Sequence, residues 1–286
     1  FRASWLCGPA VAWVTVFLLV PLLLVVGLSF TPRGDAGEMV WRFSLENYAR
    51  LFGHLTNAEV STPTHIFGRS VGVAALTAAL CLLAALPVAF FIAALPRRWQ
   101  GVAATLVILP FWTNLLIRTY GWQLVLAPDG WLADVLITAC WLDPNDTLYP
   151  GWPAVMVAMV GNYFPFMLLP LYACVVKLDR SLIEAAADLG ATPTQIFFRA
   201  TLPQLRAGMI AGCVLVFVPV TAQFLVPDLL GRGQFVLFGN AVEQHVIAQR
   251  DWPFGCAVAV VALLVMLAGL ALHTRVTRGR REVALP

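Results

Sequence analysis

Six stretches of this 286-residue chain carry almost nothing but apolar side chains for about twenty residues each, the length a helix needs to cross the hydrocarbon core of a bilayer. They run over 8–30, 67–95, 101–127, 152–176, 207–227 and 253–273. Composition agrees: 60% of residues are hydrophobic and 12% charged, against about 25% charged in a soluble domain. The expected fold is an all-α polytopic membrane protein, a single transmembrane domain over 1–286 with six transmembrane helices. The first run is longer than the apolar core of a signal peptide and no small-residue cleavage site follows it, so it is expected to be a retained span.

Orientation follows from the placement of basic residues rather than from the net charge of +3. With both termini cytoplasmic, the inner segments hold Arg2, Arg97, Arg98, Lys177, Arg180, Arg199, Arg206, Arg275, Arg278, Arg280 and Arg281. The outer segments hold Arg33, Arg42, Arg50, Arg232 and Arg250, while Arg69 and Arg118 fall within spans. Acidic residues segregate the other way, eleven outside and four inside. An even number of spans and this bias agree.

Several chemistries find no footing. There is no GxxxxGK[ST], HExxH or GxSxG, so no nucleotide, zinc-protease or serine-hydrolase signature. His54, His65, His245 and His273 lack ligand spacing, and of six cysteines only Cys140 lies in an outer segment. No metal site is expected, and no basic run suggests nucleic acid. An ion-coupled secondary transporter is the rival from another class; it needs an ionisable group at mid-membrane, and no acid lies near the centre of any span. A structural or channel-like subunit is the second rival.

Between the fourth and fifth runs lies "EAAADLGATPTQIFFRATLP", residues 184–203, polar and unable to cross a bilayer. Ser181 precedes Glu184 by three residues and Thr192 precedes Gln195 by three, two capping-box spacings. Pro193 suits a first helical position and Gly190 a turn. The pattern predicts helices over 182–189 and 193–200, with Pro203 closing the second. Alanines on the first and Phe197 and Phe198 on the second offer a docking surface, the alternative being a loop folded back on its own spans.

Glu184-Ala185-Ala186, Gly190 and Leu202-Pro203 resemble the signature loop of ABC-importer permeases, with Ala200 standing where that family usually has Ile. "LPFWTNLLIRTYGW" (109–122) and "VPDLLGRGQFVLFGNAVEQHVIAQRDWPFG" (226–255) are similar to the spermidine/putrescine branch, whose relatives also include permeases for ferric iron and small organic solutes. The resemblance implies a type I (MetI-like) importer fold whose coupling hairpin, about 179–203, docks on a separate ATPase through Glu184, Ala185, Ala186, Gly190, Phe197, Leu202 and Pro203. It further implies a bacterial inner-membrane subunit working with a second homologous permease, an ATPase dimer and an extracytoplasmic solute-binding protein. ATP and Mg would then belong to the ATPase, leaving no cofactor, no catalytic residue and no hydrolysis on this chain.

Polar groups at membrane depth face either a pathway or a neighbouring helix. Trp112, Asn114, Arg118 and Tyr120 are the densest cluster, with Asn162 and Tyr163, Thr221 and Gln223, and Asp228 at comparable positions. Aromatic faces and a carboxylate suit the ammonium groups of a polyamine. Arg118 repels one, and would suit a small organic anion or a partner's acid instead. Interhelical hydrogen bonding, with Arg118 reaching toward the surface, is the alternative reading for the set.

Overall fold

A computed structural model describes residues 2–33, 42–56, 63–138, 147–233, 236–264 and 267. Among them are helices α1 (Arg2–Ser29), α2 (Glu46–Thr56), α3 (Pro63–Ala94), α4 (Arg97–Ile108), α5 (Leu115–Val125), α6 (Trp131–Thr138) and α7 (Trp152–Val175). There follow α8 (Arg180–Asp188), α9 (Pro193–Ile196), α10 (Leu202–Thr221), α11 (Leu225–Gly231), α12 (Phe238–Glu243) and α13 (Trp252–Leu264). Four helical stretches are long and apolar enough to cross a membrane, or five if the bent pair 97–125 counts as one. Of the sixth expected span, α13 is present; Arg275, Arg278, Arg280 and Arg281 lie outside the described residues, as does Cys140.

Chain contacts divide the molecule into two compact units, 1–67 with 239–286, and 68–238. The first is organised by helix ends. The buried Asn47 amide donates to the carbonyls of Ser29 (3.1 Å) and Thr31 (2.8 Å), satisfying acceptors that α1 leaves open at its C-terminus. The Ser29 hydroxyl meets the Tyr48 hydroxyl at 2.8 Å. Asp251, 1% exposed, takes both guanidinium nitrogens of Arg50 at 3.3 Å and Arg33 at 3.6 Å, and accepts from the Phe254 amide at the start of α13. Arg50 also lies over the Phe254 ring at 4.7 Å, so charge pairing and capping share one carboxylate and a cation–π contact adjoins them.

The second unit is centred on α7, whose Val155, Met159, Met167, Leu168 and Leu171 are buried. Its principal neighbour is α10, and two glycines one turn apart explain how close it comes. A Cβ at Gly208 would lie 2.8 Å from the Pro170 carbonyl, and one at Gly212 2.6 Å from the Met167 sulfur. This GxxxG spacing lets the backbones touch where lipid supplies no hydrophobic drive to associate. Gly161 of α7 admits the Trp122 ring of α5 in the same way.

Three details depart from the pattern expected of the sequence. The third apolar run is no straight span: α4 passes through a 3₁₀ turn at Leu109–Trp112, then bends by 96° into α5. Pro110 has no N–H to continue the ladder, and Thr113 and Asn114 are extended (ψ 150° and 137°) before the Asn114 side chain caps α5 at the Leu116 amide, 2.8 Å away. The fifth run is helical to Thr221 and breaks before α11. Pro203 does not close the second hairpin helix either, for the helix is continuous over Pro193–Thr221. A π-helical turn at Phe197–Thr201 widens the ladder just before the proline, the Leu202 amide reaching back to the Phe197 carbonyl. The wider turn relieves the clash a proline ring makes with the carbonyl four residues earlier.

Replacing Asp251 by Ala leaves two guanidiniums facing each other and a helix start uncapped. It is expected to cost about 2 kcal/mol, less than the roughly 3–5 of a fully buried pair because both arginines reach water. Thermal unfolding of the purified protein followed by tryptophan fluorescence measures this, and an unchanged melting temperature contradicts it.

Candidate functional site

Two features of the second unit carry chemistry, a polar hairpin and a cavity. In the hairpin α8 is capped by Asp179, not by Ser181 as the spacing suggested. The Asp179 Oδ1 accepts from the Ser181 amide at 2.9 Å and hydroxyl at 2.7 Å, which places Ser181 inside the helix, where it cannot box with Glu184. The Ser181 hydroxyl, with its amide, holds the Asp179 carboxyl below the ordinary carboxylate value. Since the folded carboxyl is the stronger acid, this cap contributes fully above the unfolded pKa of about 3.9 and fades as pH falls through the folded value.

The turn then follows helix-end rules. Gly190 has φ +79°, its amide donates to the Ala187 carbonyl (2.9 Å), and the Ala191 amide reaches the Ala186 carbonyl (3.1 Å). Two of the orphan carbonyls at the end of α8 are thereby satisfied, in a conformation that a side chain would strain. The capping box at the second helix forms as its spacing predicts: the Gln195 amide donates to Thr192 Oγ1 (3.4 Å) and the Thr192 amide to Gln195 Oε1 (3.0 Å). Gln204 ties the two limbs, its Oε1 accepting from the Asp179 amide at 3.0 Å and its Nε2 donating to the Ala200 carbonyl at 3.1 Å.

Glu184, Ala185 and Gly190 are exposed, whereas Ala186, Leu202 and Pro203 are half-buried. Phe197 turns inward, its ring 6.3 Å from Phe90, so the aromatic presented to the outside is Phe198 at 60% exposure. Leu189 at the tip is 90% exposed. The hairpin thus offers a small, alanine-lined ridge flanked by two bare apolar side chains.

The cavity, about 350 Å³, lies where the bend between α4 and α5 faces α7. Its lining is Phe111, Thr113, Leu115, Arg118, Asn162, Tyr163 and Phe166. Phe111 and Phe166 meet edge to face at 4.8 Å. The Arg118 guanidinium lies 5.6 Å over the Phe111 ring and donates from Nη1 to the Pro110 carbonyl at 3.4 Å. Asn162 is 1% exposed, and neither its Oδ1 nor its Nδ2 has a partner among the described residues; the same holds for Arg118 Nε. Unsatisfied buried amides are costly, and these unmatched groups gather in one hollow of a size suited to a small molecule.

Of the residues singled out for a pathway, the structure brings Arg118 and Tyr163 together at this cavity. Gln223 stands behind them, its Nε2 donating to the Tyr163 hydroxyl at 2.9 Å and its Oε1 accepting from the Phe224 and Leu225 amides at the start of α11. Asn114 is occupied in capping α5. Trp112 (80% exposed) and Tyr120 (50%) are not part of the lining, and Asp228 is exposed on the first turn of α11. Phe111 and Phe166 had no signal in the sequence, being ordinary apolar residues of apolar runs. Asn162 had one, an amide in the middle of a span.

A family of binding-protein-dependent transport system inner membrane components matches residues 4–282. The spermidine/putrescine transport system permease protein PotB of Salmonella typhimurium is 37% identical over 273 residues, 94% of this chain and 91% of that protein. Among solved structures, a bacterial ABC transporter involved in the import of the acidic polysaccharide alginate aligns with TM-score 0.65 at 17% identity, over 97% of this chain and 96% of that one. The alginate transporter in complex with its alginate pentasaccharide-bound periplasmic protein aligns with TM-score 0.63 at 18% identity, over 96% of both chains. These structural likenesses are of fold: the chain has the type I importer permease architecture.

Asn162→Leu removes two orphaned polar atoms while keeping the volume. The protein's melting temperature is expected to hold or rise, while solute transport falls at least about tenfold if the amide serves a ligand. A lower melting temperature with unimpaired transport would identify Asn162 as a packing residue.

Proposed function

Since this chain belongs to the family of binding-protein-dependent transport system inner membrane components, we propose that it is one of two homologous permease subunits of an ATP-driven importer for a polyamine such as spermidine or putrescine. The observation that carries the solute is its 37% identity with PotB along 94% of the chain. Aromatic rings around the cavity are in keeping with ammonium recognition by cation–π contact. A second reading, the same architecture carrying a small organic anion, is favoured by Arg118 alone.

The proposed cycle follows from the two features. An extracytoplasmic binding protein delivers solute from the side opposite the hairpin, with both termini of this chain cytoplasmic. A dimeric ATPase, which holds ATP and Mg, receives the hairpin in a groove on its surface. The alanine ridge of α8, with Glu184, Ala185, Ala186 and Gly190, lets that surface approach closely, while Phe198 and Leu189 supply apolar anchorage. Phe197, turned toward Phe90, and the half-buried Leu202 and Pro203 support the docking surface from beneath. Closure of the ATPase dimer pushes the hairpin, and the helix continuous over Pro193–Thr221 carries the push to α7. No bond of the solute changes on this chain.

Glu184→Lys and Gly190→Val are each expected to abolish uptake in proteoliposomes reconstituted with all subunits, the second because a β-branched residue is strained at φ +79°. Both variants should insert and fold normally by circular dichroism, and normal uptake by both sinks the docking role. For the solute, a thermal-shift screen of the cognate binding protein against polyamines, ferric iron and organic anions is decisive. A shift with polyamines is expected, and a shift with anions alone overturns the polyamine assignment.

A further inference from the structure

The cavity at the bend holds a cation of its own in the position where an ammonium-bearing solute would bind. An organic ammonium in an apolar hollow needs an aromatic face and an oxygen to accept its N–H groups. Phe111 offers the face, and Asn162 Oδ1, buried and without a partner, offers the oxygen. That face is already covered by the Arg118 guanidinium at 5.6 Å. The hold on it is loose, because among the described residues its one hydrogen bond, Nη1 to the Pro110 carbonyl, is 3.4 Å long, and Nε has no partner. Three methylenes join the guanidinium to the backbone, so it can swing off the ring without moving α5.

We propose that Arg118 is a tethered stand-in for the solute's ammonium, occupying the Phe111 face and yielding it to an arriving polyamine that Asn162 Oδ1 then accepts. The proposal rests on the polyamine reading above. Two cations cannot share a small low-dielectric space at little cost, so entry of the solute and departure of Arg118 are one event. A polyamine can force the exchange because its several ammonium groups and hydrocarbon stem make contacts beyond Phe111. A sodium or potassium ion brings a single charge and no apolar surface, and does not displace the guanidinium. Arg118 therefore acts as a specificity-determining residue that keeps the pathway closed to small cations. Its like charge, awkward in a polycation route, becomes part of the selection.

The test uses the complex of both permeases and the ATPase in lipid nanodiscs, without binding protein, and measures equilibrium binding of radiolabelled spermidine. Arg118→Gln is expected to bind spermidine about tenfold more tightly than the parent, one cation–π competitor and one repulsion having been removed. Arg118→Lys should stay near the parent value, and Asn162→Leu should erase the gain when combined with Arg118→Gln. In proteoliposomes Arg118→Gln should also admit spermidine without binding protein. Should the Gln variant fail to assemble, Arg118→Met, apolar and of similar reach, gives the same readout. Equal or weaker binding by the uncharged variants overturns the stand-in role while leaving the polyamine reading intact. If no form binds spermidine, and citrate binds the parent complex but not Arg118→Gln, both fall together.

Discussion

Inside a bilayer a backbone carbonyl released from its helix must find another donor, and the rest of the second unit depends on how this chain meets that demand at Pro110. The ladder ends where Thr113 and Asn114 turn extended, and the Pro110 carbonyl freed there is met by the Thr113 amide (3.3 Å), the Thr113 hydroxyl (2.6 Å) and Arg118 (3.4 Å). With that carbonyl satisfied locally, the 96° turn carries one fewer unmet acceptor at membrane depth. The turn swings Phe111 and Arg118 toward α7, and a cavity exists where a straight span would have packed flush. Broken helices are tolerated at membrane depth where they line a hollow, and this one does.

The same economy of helix breaks connects the cavity to the polar hairpin. Where Pro110 breaks its helix, Pro203 does not, because a π turn absorbs it. The hairpin's second limb and the apolar α10 are therefore one lever, and Gly208 and Gly212 seat that lever directly on the α7 backbone beside Met167 and Pro170. Asn162 and Tyr163 lie on α7 one to two turns away from that contact. A push at the hairpin has a short, well-packed route to the residues around the cavity, with Gln223 joining α11 to Tyr163 at its far end.

Much of this was legible in the residues. Composition and run length read out an all-helical membrane chain, of whose six expected spans four, or five with the bent pair, stand as helices long and apolar enough to cross. Gly190 and the Thr192–Gln195 pair read out the turn and the second helix start, because each acts through backbone atoms within three residues. Ser181 misled because Asp179, two residues earlier, offers a stronger acceptor to the same amide. Pro203 misled because a π turn leaves no mark in a sequence. Phe197 and Phe198 are indistinguishable by type, and only the packing on Phe90 decides which faces outward. The cavity was half visible: Arg118, Asn162 and Tyr163 stood out as polar groups at depth, while Phe111 and Phe166 joined them through a bend that proline alone does not announce, prolines being common in membrane helices.

The account stands on the helix over Pro193–Thr221 moving as one piece. Spin labels at Thr194 and Leu215, in the assembled complex, report its length directly. At 1.5 Å per residue the backbone separation is about 32 Å, and the account predicts the same narrow distance distribution with and without bound nucleotide. A distribution that shifts or broadens when ATP binds would show the π turn to be a joint, and would contradict transmission of the hairpin's motion to the cavity by a rigid lever.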